Sequence, residues 1–160
     1  MTPLDLKTKE QWDEILDRFA RQLGMTTCLT DDTGNQPLCH FDRFPLCALI
    51  RANQTATTFI CSQTNTAMLA VVKKTLQPEI DLCEAGLIRL VVPLVRDGRL
   101  VGQVFACGLA TKDEELDPFP IAKQLGVPEE QVVELAKSTP FGSEEELQQL
   151  ADRLFRELNP

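Results

Sequence analysis

An Asp97-Gly98 dipeptide stands between two long apolar runs, residues 87–95 and 99–108. Asp-Gly is suited to the two-residue turn whose twist matches that of paired strands, because glycine accepts the positive φ that the turn needs. The chain is therefore expected to form a long antiparallel hairpin here. Strict alternation in its second strand puts Leu100, Gly102, Val104 and Ala106 on one face. Val101, Gln103, Phe105 and Cys107 then share the other.

A sheet with apolar faces needs covering, and the rest of the chain reads as helices and a second hairpin. Thr8 and Gln11 have the capping-box spacing, and Trp12, Ile15, Leu16, Phe19 and Leu23 mark one helical face that ends at Gly24. Residues 25–30 and 36–39 flank the turn cluster Asp31-Asp32-Thr33-Gly34-Asn35, a shorter hairpin with Gly34 at positive φ. Residues 41–58 read as irregular, with a short helix over 46–51. A helix is expected over 61–76, capped by Ser62 or Thr64. A short strand follows over 80–83. Helices over 117–125 and 129–137 precede a last helix capped by Ser143, with Leu147, Leu150, Ala151, Leu154, Phe155 and Leu158 as its stripe. Hairpins with helices gathered around them make an α+β fold with an antiparallel sheet flanked by helices. That is the plan of PAS-like and GAF-like sensors.

The chain has 160 residues, 43% of them hydrophobic and 25% charged. This suits one domain over residues 1–160 and excludes a disordered chain. A formal net charge of −8 repels phosphate backbones and anionic lipid, so neither direct nucleic-acid binding nor membrane attachment is expected. Residues 1–9 show no apolar signal segment, and the apolar runs are broken by Arg89, Pro93 and Gln103, too soon to cross a bilayer. The expectation is a cytoplasmic protein. There, Cys28, Cys39, Cys47, Cys61, Cys83 and Cys107 are expected as free thiols or a thiol or metal site rather than a disulfide framework.

Several segments, in order, are similar to one family. They are Phe19-Ala20-Arg21-Gln22-Leu23-Gly24, Asp31-Asp32-Thr33-Gly34, Leu46-Cys47, Cys61, Cys83-Glu84-Ala85-Gly86-Leu87, Val92-Pro93-Leu94, Gly98, Val101-Gly102-Gln103-Val104, Ala122 to Gly126, Ala136 and Phe141-Gly142-Ser143. Together, over roughly residues 8–158, they resemble the PocR sensory domain of bacterial regulators of propanediol use. The resemblance implies a PAS-like, non-enzymatic domain that senses small molecules such as diols. It also implies a signalling output, from a separate protein or through a homodimer. Family members often carry His where this chain has Glu84, which points to a different ligand.

The resemblance singles out Cys47, Cys61 and Cys83. With Glu84 and Gln103 they are the expected ligand-binding residues, lining a pocket between the sheet and residues 47–76. Gln103 is a polar residue in an apolar strand, and a buried amide needs partners. The three cysteines are spaced Cys-x13-Cys and Cys-x21-Cys, unlike a zinc knuckle. Three thiolates at one pocket would still suit zinc, copper or an iron–sulfur cluster, the second reading. A thiol oxidoreductase is the third. Cys61, placed at a helix N-terminus, is expected to be the most reactive thiol. Cys28, Cys39 and Cys107 are read as core or peripheral, and Arg89 as half of an exposed ion pair, with a carboxylate ligand as its alternative partner. A Cys39/His40 nucleophile with Asp42 nearby is disfavoured, since neighbours on a strand point to opposite faces.

Overall fold

The computed structural model describes residues 1–35, 38–40, 44–112 and 116–160, with the backbone alone at residue 40. The elements run α1 (Pro3–Leu6), α2 (Lys9–Leu23), β1 (Thr26–Asp31), β2 (Leu38–His40), α3 (Pro45–Ala52), α4 (Gln54–Ala56), a π-helical segment (Thr57–Ser62), α5 (Gln63–Thr75), β3 (Glu79–Leu82), β4 (Leu87–Arg96), β5 (Arg99–Thr111), α6 (Pro118–Leu125), α7 (Glu129–Ala136), β6 (Phe141–Gly142) and α8 (Glu144–Leu158). The strands form one sheet in the order β2-β1-β5-β4-β3, with β6 beside β5. Every pairing along that order is antiparallel, and only the short β5–β6 contact is parallel. This is the α+β, PAS-like arrangement expected.

Local chemistry places the ends of these elements. Asp97 and Gly98 take φ of 51° and 70°, the turn anticipated between β4 and β5. Thr8 and Gln11 form a reciprocal capping box on α2, and Gly24 closes it at φ 67°. Asp31 Oδ1 accepts from the backbone N–H of Thr33 and of Asn35 at 2.8 and 3.0 Å, shaping the β1–β2 connection. Trp12 Nε1 donates to Pro3 O at 2.8 Å and fixes the unanticipated α1 against α2. Residues 36 and 37 of the expected returning strand lie outside the described residues.

Both faces of the sheet are covered. On the first, Trp12, Leu16 and Phe19 of α2 and Leu147, Leu154 and Leu158 of α8 bury Leu29, Leu90, Val92, Val104 and Ala106. Each Leu, Val or Phe among them contributes about 1.5–3 kcal/mol. On the second, Met68 and Val72 of α5 pack on Cys28, Val91 and Phe105. Beside them Leu87 meets Leu46, Cys47, Ile50 and Ile60.

Simple alternation fails where β5 is irregular. The β4–β5 register shifts between Leu94 and Val95, and again between Ile88 and Arg89. Val101 is the extra residue at the first shift. It joins the α2/α8 core, while Leu100 packs with Phe105, the reverse of the assignment by alternation. Gly108 is the extra residue at the second, with φ 113°, and it returns Leu109 to the α2/α8 core.

The helical region also departs from expectation. Helix begins at Pro45 and, after a break at Asn53, runs from Gln54 through the π segment into α5. Asn53 is the cap, accepting from Ala56 N at 3.0 Å, and neither Ser62 nor Thr64 caps a helix. The β-branched run Thr55, Thr57, Thr58 and Ile60 lowers local helix propensity. Burial of Ile60 against the α3 side chains outweighs it. Finally, Cys28 and Cys39 face each other across β1 and β2, with Cα atoms 4.2 Å apart, and form a disulfide. The expectation of free thiols is corrected at these two positions by register, which no compositional argument contains.

Gly108 is open to a direct test. A Cβ there would stand 2.5 and 2.7 Å from Phe44 Cδ2 and Cε2, on a backbone L-residues avoid. Gly108→Ala is expected to lower stability by about 2–4 kcal/mol in urea unfolding. An unchanged midpoint would contradict the packing described.

Candidate functional site

The second face of the sheet carries an unusual run of polar side chains. Arg89 on β4 is paired with Cys107 on β5, and Thr30 on β1 with Gln103. Arg89, Gln103 and Thr30 are each 2% exposed. The Arg89 guanidinium lies over Phe105, its carbon 3.9 Å from the ring centroid, so the side chain crosses from its root beside Cys107 toward Gln103. The exposed ion pair expected for Arg89 is replaced by a buried cation stacked on a ring. Burial pushes its pKa down, but a guanidinium is basic enough to stay charged.

A cavity of about 200 Å³ opens beside this cation. It is lined by Thr30, Thr33, Gly34, Ser62, Asn65, Thr66, Leu69, Arg89, Gln103 and Phe105. Four lining residues bring polar atoms that are buried and lack a hydrogen-bond partner among the described residues. These are Thr30 Oγ1, Asn65 Oδ1, Gln103 Oε1, and Nε and Nη2 of Arg89. Buried polar groups without partners are uncommon and each costs about 1–3 kcal/mol. All four of these residues line the one cavity.

The cysteines form a second, smaller cavity on the far side of Arg89. Cys47, Cys61, Cys83 and Cys107 line it with Ile50, Ile60, Arg51 and Arg89, and it holds about 20 Å³. That volume admits about one water molecule. Arg51 Nη2 donates to Cys107 Sγ at 3.4 Å. Burial pushes the Cys47 and Cys61 thiols up, and raises Cys83 to about 11. With no metal bound these are protonated thiols at neutral pH, and a metal ion would have to displace the protons. Among the described residues no three His, Cys, Asp or Glu side chains are grouped to hold a metal ion. The four thiols thus share one small cavity without being grouped, as placed, closely enough to hold a metal ion.

The structure thus brings Cys47, Cys61 and Cys83 together and adds Cys107, which had been read as core or peripheral. It separates Gln103 from them, into the polar cavity. Glu84 is exposed in the turn closed by Gly86 N and Cys83 O, and lines neither cavity. Cys61 is not at a helix N-terminus. It sits in the π segment with helix on both sides, so no end-of-helix dipole lowers its pKa. Cys39 is bonded to Cys28, Asp42 lies outside the described residues, and the disfavoured nucleophile group has no free thiol. Asn65 and Thr30 were missed as site residues, and Arg89 was set aside for an exposed ion pair. A polar residue inside an apolar strand is the signal that found Gln103, and Arg89 carried the same signal.

The thiol chemistry has a measurable consequence. Raising Cys83 from the ordinary 9.0 to about 11 lowers its thiolate fraction about 100-fold at pH 8. Alkylation of Cys83 by iodoacetamide is expected to be at least that much slower in the native chain than in urea. The unfolded thiol ionises first as pH rises, so the stability from this group is complete below pH 9.0 and is lost up to about pH 11. Urea midpoints that hold level across that window would contradict the burial of the thiol.

No curated protein matches the chain. Among the described residues no helix is long and apolar enough to cross a membrane. The sequence pattern of the sensory domain found in PocR matches residues 5–159, a span that includes every residue of both cavities. The chain belongs to the PocR sensory-domain family.

Proposed function

We propose that this chain is a small-molecule-sensing regulatory domain of bacterial signal transduction, acting in the cytoplasm and without catalysis of its own. Its ligand site is the polar cavity of Thr30, Asn65, Arg89 and Gln103. The observation that carries the reading is that four residues with unpartnered buried polar atoms, one each from β1, α5, β4 and β5, line the same 200 Å³ space. A ligand that supplies the missing partners recovers the desolvation cost, and its binding would shift the population of two arrangements of the terminal helices. The cysteine cluster serves as the packed wall behind Arg89 and sets its position. The strand that holds Arg89 also holds the C-terminal helix. Asn159 Oδ1 accepts from Val95 N at 2.6 Å, and Asn159 Nδ2 donates to Pro93 O at 2.9 Å. Output through the terminal helices, to a second copy or a separate signalling protein, follows from that continuity.

If the polar atoms are held for a ligand, they destabilise the ligand-free chain. Gln103→Leu and Arg89→Met are therefore each expected to raise ligand-free stability by about 1 kcal/mol or more in urea unfolding. A loss of similar size in both variants would make these side chains structural and sink the reading.

A further inference from the structure

Resting on the cavity reading above, we propose that the ligand is a short hydroxy acid. Its carboxylate is held by Arg89, and its hydroxyl groups donate to Gln103 and Asn65. The charge comes first. The lining contains one guanidinium and, among the described residues, no carboxylate. A buried cation needs an opposite charge, and the face of Phe105 is a weak stand-in for an anion. The geometry comes next. The two unpartnered nitrogens of Arg89 are Nε and Nη2, whose N–H bonds run parallel along one edge of the guanidinium. That edge matches the two oxygens of a carboxylate, giving a bidentate pair. A neutral diol would fill the hydrogen bonds and leave the charge unanswered.

The remaining unpartnered atoms choose the rest of the molecule. Gln103 Oε1 and Asn65 Oδ1 are acceptors, and Thr30 Oγ1 both donates and accepts. They call for ligand donors. An ammonium group would supply donors but would bring a second cation beside Arg89, with no lining carboxylate to receive it. Hydroxyl groups supply the donors without that repulsion, so a hydroxy acid is favoured over an amino acid. Leu69 and Phe105 offer apolar contact to a short carbon chain. A cavity of about 150 Å³ takes up benzene, so the 200 Å³ cavity suits a molecule of about six to eight non-hydrogen atoms.

The test is isothermal titration of the whole chain with sodium lactate, sodium glycerate, glyceramide, serine and propane-1,2-diol. Saturable binding of lactate or glycerate is expected, with glyceramide and serine at least 10-fold weaker. Arg89→Lys is expected to bind the acid more weakly, and Arg89→Met at least 30-fold more weakly. The comparison of glycerate with glyceramide uses the unaltered chain, so it stands even where a variant fails to fold. Diol or amide binding as tightly as the acids, and lost in Gln103→Leu, would overturn the carboxylate while keeping the polar cavity as the ligand site. Binding of the acids unchanged in both Arg89→Met and Gln103→Leu would remove the ligand from this cavity altogether. No binding of any probe would overturn the hydroxy acid, and the urea midpoints of the ligand-free variants then decide the cavity reading on their own.

Discussion

A single buried cation organises the second face of the sheet. Arg89 leaves β4 opposite Cys107, passes over the Phe105 ring, and ends beside Gln103. Its desolvation is a large cost, and the ring beneath it answers only part of the charge. The surroundings follow from that. Four small, polarisable thiols pack around its root in a space too tight for a ligand. Polar side chains surround its head in a space large enough for one. The same side chain therefore divides a packed region from a hollow one.

The backbone irregularities lie close to this division. The bulge at Gly108 follows Cys107 directly, and it sets which of the neighbouring residues face α2 and α8. The π segment brings Cys61 to the thiol cavity and Ser62 to the polar one, with Asn65 a turn later. A regular α-helix would distribute these residues differently around its axis, and π turns inside helices recur at functional sites. Local rules of propensity and alternation are broken here, beside the two cavities, and such breaks are expected at functional or strained sites.

The first face of the sheet is conventional by comparison. α2 and α8 bury a continuous apolar layer against β1, β4 and β5. Their amphipathic stripes are regular, their caps are formed by Thr8 and Ser143, and the strands beneath them alternate as expected away from the bulges. The two faces thus have separate tasks. One supplies most of the apolar burial that stabilises the sheet, and the other tolerates unpartnered polar atoms because the first is secure. β4 belongs to both, since it carries Arg89 on one side and is hydrogen-bonded to Asn159 at the end of α8.

The sequence by itself determined the elements whose signals are local. The Asp97-Gly98 hairpin, α2 between Thr8 and Gly24, and α8 after Ser143 were legible because turn chemistry, capping and periodicity act within a few residues. The family was legible from the ordered motifs, and Gln103 from its polarity in an apolar strand. Tertiary structure alone decided the site. It paired Cys28 with Cys39 through strand register, drew Cys107 to Cys47, Cys61 and Cys83, sent Gln103 to a different cavity, and left Glu84 in solvent. Which side chains meet depends on the sheet order, two bulges and a π turn. Each of those is set by packing between residues distant in the chain, where no local spacing records it.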